Sequence, residues 1–333
     1  MDLAGGTADL WPLYLYLGGL ELVNMAIDVK AKVDIEWTPL KQPAHSFELS
    51  SKDFNRSIKY KDLAALEKSL SLDTTQNPLR WVARLTHHYL KDKASFGHWK
   101  VSTQSDAPPG SGLGGSSVLG VALSRALAKA LKQDMWRDEW DLQSTTRDLE
   151  SIEIQYPAGD QDYVPAIFGG LLIFKMGPNK KSVEKLPTTL ADKISNRTAL
   201  LYTGKPHHSG LNNWQVFTEI HKPKSKVKKH LQEIVQISHA LAQDLRKNEL
   251  GNLSDLINQE WECRKKLSPA INASVLDKAW RFGKTRGATA RKACGAGGGG
   301  CLLLVFDSAE DKFSALKSKL PDSSWKWLST IPA

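Results

Sequence analysis

"PPGSGLGGSS" occupies residues 108–117, and its reading decides what kind of fold the chain adopts. Two prolines stop whatever precedes it, and the glycines let backbone come close to a ligand. The segment that follows predicts a helix. Leu119, Leu123, Leu127 and Leu131 make one i+4 row, while Arg125, Lys129 and Lys132 lie on another face. A helix opening straight from a glycine loop offers unpaired N–H groups and the positive end of its dipole, which together suit a phosphate. A flexible linker capped by serine is the plainer reading, but no spacer separates this loop from its helix.

Two common phosphate loops fail on context. A Walker A loop needs G-x4-G-K-[ST], and at "GKT" (283–285) the first glycine position holds Lys278. Gly110, Gly112 and Gly115 do match G-x-G-x-x-G. A dinucleotide fold, however, wants a buried strand before the loop and a strand ending in an acidic residue after the helix. Here "KVSTQSDAPP" precedes the loop and "DMWRDEWDLQ" follows the helix, so that reading fails too.

Working outward, every odd position from Val23 to Trp37 is apolar and most even ones are polar. Period two over that length predicts one long or hairpin-bent antiparallel strand with a wet face. Residues 60–92 read as helical stretches broken at "DTTQNP" (73–78), and a further helix is predicted over roughly 141–155. "FGGLLIFKMGPN" reads as a buried strand and turn. Past "GPNKKSVEKL" the pattern becomes strand ("ALLYTG"), helices over 227–250, 252–266 and about 273–286, then strand ("CLLLVF"). The change in pattern near 180–190 predicts two domains, 1–185 and 186–333, in a chain long enough for both.

Composition narrows the class. No apolar run approaches the ~20 residues of a membrane span. Cys263, Cys294 and Cys301 show no metal-ligand spacing and read as reduced thiols of a cytoplasmic protein. The net charge of +9 favours anionic partners. Its densest run, "HKPKSKVKKH" (221–230), lacks the arginines and interleaved aromatics of a nucleic-acid arm and reads as a solvated helix start. Neither nucleic acid nor membrane is an expected partner.

The 108–117 loop resembles the P-x-x-x-G-L-G-S-S motif of the galactokinase, homoserine kinase, mevalonate kinase and phosphomevalonate kinase superfamily, the GHMP kinases. "DLAGGTADL" (2–10) is similar to that family's first motif in its sugar-kinase branch, and "KACGAGGGGCLLLVF" (292–306) to its third. "GDQDYVPAIFGG" (159–170) and "QEWECRKKLSP" (259–269) resemble segments of the branch containing D-glycero-D-manno-heptose 7-phosphate kinases. The resemblance implies two α+β domains, an N-terminal phosphate-loop domain and a C-terminal ferredoxin-like one, with the site in the cleft between them. It also implies ATP- and Mg²⁺-dependent phosphorylation of a sugar hydroxyl, with a heptose 7-phosphate taken at its anomeric position as the leading acceptor. A kinase for fucose, galactose or a mevalonate-type precursor is the alternative, as is a non-catalytic sensor of nucleotide or sugar. The oligomeric state expected is monomer or homodimer.

Carried over residue by residue, the resemblance makes Pro109, Gly110, Ser111, Gly112, Leu113, Gly114, Gly115, Ser116 and Ser117 the ATP cradle. Ser116 and Glu150 are the expected Mg²⁺ residues, since each brings a hard oxygen; for Ser117 an N-cap role competes. Asp162, six residues before Phe168-Gly169-Gly170, is the expected catalytic base, with Asp160 its rival. Tyr163 and Val164 depart from the branch, which carries Gln and Tyr there. The expected substrate residues are Asp2, Gly5, Gly6, Thr7, Asp9, Gly297 and Gly298, with Lys292 beside them. In the family's first motif a basic residue lies one position before the place of Met1. The resemblance therefore predicts a strand ending in Arg or Lys upstream of the chain as given.

Overall fold

The computed structural model describes residues 1–333 apart from 42–43, 72–76, 94–95, 179 and 207–208, together with the side chains of 209–212. The first four residues of the "DTTQNP" break thus lie outside the described residues. The helices Leu63–Ser71 and Arg80–Leu90 flank it as expected.

Packing groups the chain into two compact units, each drawn from separated stretches. One comprises Met1–Val29, Pro108–Gly114 and Tyr156–Ala333; the other comprises Lys30–Ala107 and Gly115–Gln155. Neither coincides with a linear half of the chain.

Twelve strands are present among the described residues: β1 (Asp2–Ala4), β2 (Leu20–Met25), β3 (Ala31–Thr38), β4 (His45–Ser51), β5 (Arg56–Tyr60), β6 (Gly97–Ser105), β7 (Leu171–Met176), β8 (Lys181–Lys185), β9 (Thr198–Tyr202), β10 (Ala288–Ala293), β11 (Cys301–Phe306) and β12 (Lys326–Leu328). The smaller unit is built on one sheet, β3-β6-β4-β5, in which β4 and β6 run parallel and the other pairs antiparallel. Its core joins Phe47, Leu49, Trp99 and Val101 of that sheet to Leu123, Leu127 and Leu131 of the helix Gly115–Leu131. Leu119 packs against the same core, so the predicted leucine row is the buried face of this helix.

The larger unit holds two antiparallel sheets, β1-β2-β7-β8 and β10-β11-β9-β12. In chain order the second runs strand, helices, strand, strand, helix, strand. With β9 and β11 at its centre, that is the ferredoxin-like arrangement expected for the C-terminal part. The continuous apolar run "CLLLVF" is its fully buried central strand β11. Both sheets feed one core, in which Val23, Met25 and Ile173 meet Leu241, Leu245, Ile257, Leu303 and Val305.

The alternation from Val23 to Trp37 is not one strand. β2 ends at Met25 and pairs with β1 and β7; β3 starts at Ala31 and pairs with β6 in the other unit. The pattern survives because both pieces are strands, and period two carries no information about partners. Only β3 has the predicted wet face, with Lys32, Asp34 and Glu36 exposed. No helix among the described residues is long and apolar enough to cross a membrane.

Candidate active site

The 108–114 stretch begins as a turn closed by Ser111 N–H donating to the Pro108 carbonyl at 3.0 Å. Gly110, Gly112 and Gly114 take φ values of 66°, 78° and 68°, a left-handed region that other residues enter at a cost. The loop is backed by the glycine turn of the third motif. Cys301 N–H donates to the Ser111 carbonyl at 2.8 Å, and a Cβ on Gly300 would lie 2.5 Å from that oxygen. On its other side stands Asp162. A Cβ on Gly114 would fall 2.5 Å from both Cβ and Cγ of Asp162. Two motifs separated by some fifty positions thus meet, and the glycine is what lets them.

Asp162 ends a turn pinned from several directions. Asn24 Nδ2 donates to the Gln161 carbonyl at 3.0 Å, Gln161 N–H donates to Asp9 Oδ2 at 2.9 Å, and Leu10 bridges Gly159. The helix Tyr163–Phe168 follows at once, its Tyr163 and Val164 buried. Asp160, the rival base, is fully buried and paired with Lys181 at 2.7 Å. That ion pair ties the turn to β8 and gives Asp160 a structural partner.

Asp9 was expected to bind sugar hydroxyls. It is 1% exposed and holds the backbone of Gln161. Burial pushes its carboxyl up to about 7, against the hydrogen bond from Gln161, with repulsion from Asp160 and Asp2 adding to the rise. An unfolded aspartate titrates near ~3.9, so the folded chain binds the extra proton between there and about 7. Ionising Asp9 therefore costs stability as pH rises through that window. Asp9→Asn should gain on the parent by of order 1–3 kcal/mol between pH 5 and pH 8, read from urea unfolding at each pH. A difference that does not change with pH would refute the assignment.

Around Asp2 the charges condense into a buried cluster. Lys292 Nζ lies 2.7 Å from Asp2 Oδ2 and 2.8 Å from Glu260 Oε1. Arg264 reaches Asp2 Oδ2 at 3.1 Å, Thr7 Oγ1 at 3.1 Å and the Gly295 carbonyl at 2.7 Å. Burial alone would raise the Asp2 carboxyl, yet Lys292 and Arg264 together hold it below its usual range. Lys292, expected to border the substrate, is wholly buried and serves as counter-ion to Asp2 and Glu260. Of the other predicted substrate residues, Thr7 has φ 72° and accepts from Arg264. A Cβ on Gly5 would meet Ser238 Oγ, and one on Gly6 would meet Asp2 Oδ2. Gly297 and Gly298 pack on Ile271, whose carbonyl accepts from Gly298 N–H at 2.8 Å.

Arg264, Glu260 and Lys181 were missed in the sequence. A signal for two of them was present. The buried stripe of the helix Leu253–Lys265 is Leu253, Ile257, Glu260, Trp261 and Arg264. Opposite charges four apart on an apolar stripe are costly unless they serve one another or a third group.

In the smaller unit, Ser116 Oγ donates to Glu150 Oε1 at 2.5 Å and Ser117 Oγ to Glu150 Oε2 at 2.9 Å. Ser117 is the third residue of its helix, so it is not an N-cap; its hydroxyl serves the glutamate. Trp81 Nε1 donates to the Ser116 carbonyl at 3.0 Å and anchors this first turn. Glu150 is buried one turn before the end of the helix Glu139–Ile154. One hydroxyl and one carboxylate suit Mg²⁺, which takes few protein oxygens and keeps positions for water and phosphate. No group of three His, Cys, Asp or Glu that would cage a metal occurs among the described residues.

Comparison with known proteins agrees with this organisation. The GHMP kinases N terminal domain matches residues 79–170, and the GHMP kinases C terminal domain matches residues 241–322. A D-glycero-alpha-D-manno-heptose 7-phosphate kinase of Campylobacter jejuni is 25% identical over 96% of this chain and 90% of its own. Among solved structures, a D-glycero-D-manno-heptose 1-phosphate kinase from Bacteroides thetaiotaomicron superposes with TM-score 0.71 at 21% identity, covering 95% of this chain and 89% of that one. The Methanococcus jannaschii mevalonate kinase does so with TM-score 0.70 at 20% identity, covering 95% and 90%. Both domain families fall on this chain in order, and the phosphate loop, the Asp162 turn and the third-motif glycines pack together; the chain belongs to the GHMP kinases.

Proposed function

We propose that this GHMP kinase transfers the γ-phosphoryl group of ATP to a hydroxyl of a sugar phosphate, of the heptose 7-phosphate kind, at its anomeric position. The observation that carries the reading is the contact between Gly114 and Asp162. It sets a carboxylate against the loop whose amides are suited to ATP phosphates. In the transfer, the acceptor oxygen bonds to the γ-phosphorus as the bond to the β–γ bridging oxygen breaks and ADP leaves. The hydroxyl proton passes to an Asp162 oxygen. With a loose transition state the proton leaves late, so Asp162 contributes by orienting the hydroxyl as well as by accepting its proton.

Residues 109–117 would hold the phosphates, and Ser116 and Glu150 would hold Mg²⁺, which when bound neutralises charge on those phosphates. Asp9, Asp2 and Thr7 shape the acceptor side through the turn and cluster they hold. An ATP-dependent reaction on a soluble sugar phosphate belongs in the cytoplasm and needs neither nucleic acid nor membrane. The name of the Campylobacter relative supports the acceptor class.

An ADP-release screen over sugars and sugar phosphates tests the reading, with Asp162→Asn as the blank. Release that depends on a sugar phosphate is expected; none with any acceptor refutes it. Ser116→Ala, Ser117→Ala and Glu150→Gln should each raise the Mg²⁺ concentration giving half-maximal rate by about three- to tenfold. The first and third act on the proposed ligands, and the second loosens the glutamate that Ser117 holds. Midpoints unchanged in all three would remove this group from the metal.

A further inference from the structure

The larger unit exposes a string of rings that the reaction above does not use. Tyr156 and Trp214 have centroids 6.1 Å apart, and Trp214 stacks on Phe217 at 5.8 Å. Phe217 meets His221 edge-on at 5.7 Å, and His221 meets Tyr16 at 5.7 Å. Tyr16 is 54% exposed and Trp214 44%, with Trp11 beside Leu10 at 54%. Rings of that size left open on a soluble surface mark a binding face. The helix Ser209–Glu219 that carries two of them turns Val216 into the core, and Ser268 Oγ holds Gln215 at 2.7 Å.

The string is continuous with the acceptor side. Tyr16 and Trp11 follow Asp9 in the chain, Tyr156 precedes Asp162, and the Leu10–Gly159 bridge sets those two segments side by side. Inside the string, between Phe217 and Tyr16, His221 opens the basic run that reads as a solvated helix start. His221, Lys222, Lys224 and Lys226 are exposed there, in a turn closed by Ser225 N–H on the Lys222 carbonyl. Lys222 pairs with Glu219, whereas Lys224 and Lys226 have no ion-pair partner among the described residues. Lys224 is also held at φ 67°, where lysine is seldom found.

We infer that this face is the acceptor subsite for the part of the substrate remote from the reacting hydroxyl: the C–H face of a sugar lies on the rings, and the phosphate of a sugar phosphate meets Lys224 and Lys226. The inference rests on the kinase reading and deepens it. Charge selects the occupant. An apolar peptide would have no use for the lysines that follow His221, and a nucleotide base alone would leave them without an anion.

The test uses Tyr16→Ala, Trp214→Ala and the pair Lys224→Ala/Lys226→Ala, all at exposed positions. Acceptors are D-glycero-D-manno-heptose 7-phosphate and the same heptose without phosphate. Each ring variant should raise KM for both sugars by about tenfold, the order of one well-placed ring, with kcat and KM for ATP within about twofold. The lysine pair should raise KM about tenfold for the phosphorylated sugar alone, an effect that fades with added salt. Unchanged acceptor KM in all variants, or a matching rise in KM for ATP, overturns the subsite.

If neither sugar is turned over, the kinase reading fails separately, and binding decides this one. With 5-fluorotryptophan incorporated, the Trp214 resonance, assigned by its loss in Trp214→Phe, should shift on adding heptose 7-phosphate. A resonance that does not move overturns the inference.

Discussion

Asp162→Asn is expected to lower kcat by about 10²–10⁴, leaving KM for ATP and the unfolding midpoint near those of the parent. Asparagine matches aspartate in shape, so its Cβ and Cγ still face Gly114 and the phosphate loop keeps its path. What the proposed role would lose is an acceptor for the hydroxyl proton and the charge that draws the hydroxyl into line. Asp160→Asn makes the contrast. It leaves Lys181 facing a neutral amide in a buried site, so it should cost of order 1–3 kcal/mol of stability. Its effect on rate should then follow the loss of folded protein. The two variants separate the carboxylates by readout: one moves rate without stability, the other stability before rate. Parental turnover by Asp162→Asn would sink the assignment. So would an Asp160→Asn enzyme that is fully folded yet dead.

What could be read in the sequence was whatever a local pattern encodes. The helix after the loop is an example, because its leucine row needs only the 3.6-residue period and a core to face. β11 is another, since an unbroken apolar run between turns suits a central strand. Pairing is different. Residues 23–37 keep every odd position apolar, yet the strand partners lie at 171–176 for one piece and 97–105 for the other. Nothing local says so, and the two units interleave for the same reason.

Within the site, motif register placed Asp162 beside a loop it is remote from in sequence, and the geometry of Gly114 supports that placement. Register could not foresee which charges would be buried together. Lys292 was expected at the substrate because it borders a glycine loop. The structure spends it on Asp2 and Glu260, which lie 290 and 32 positions away. Asp9, expected to touch sugar, also holds a backbone amide. A carboxylate's sequence position does not reveal whether its nearest donor belongs to the chain or to a ligand.

Arg264→Met should destabilise the protein by about 3–5 kcal/mol, the cost of taking one partner from a buried ionic group. Methionine roughly keeps the length and the apolar stem, so the loss comes from the head group. Arg264 and Lys292 now face Asp2 and Glu260, two cations against two anions, all nearly inaccessible. Without the guanidinium, both carboxylates share Lys292 and one negative charge stays uncompensated. Thr7 and the Gly295 carbonyl lose their donor as well, so the first- and third-motif loops come apart from each other. Arg264→Lys restores the charge without the planar fork and should recover only part of the loss. Glu260→Gln in the Arg264→Met background rebalances the charge. If uncompensated charge is the dominant cost, the double variant should be more stable than Arg264→Met alone, a coupling that a double-mutant cycle in urea measures. The pH profile adds a second check. The Asp2 carboxyl is held below its unfolded value, so its contribution is present above ~3.9 and is lost as pH falls through the folded pKa. Removing Arg264 weakens that hold, and the acid limb of stability against pH should become shallower in the variant. A loss under about 1 kcal/mol with an unchanged acid limb would mean the cluster is solvated and relaxed, and Arg264 would then be packing rather than the clamp between the two loops.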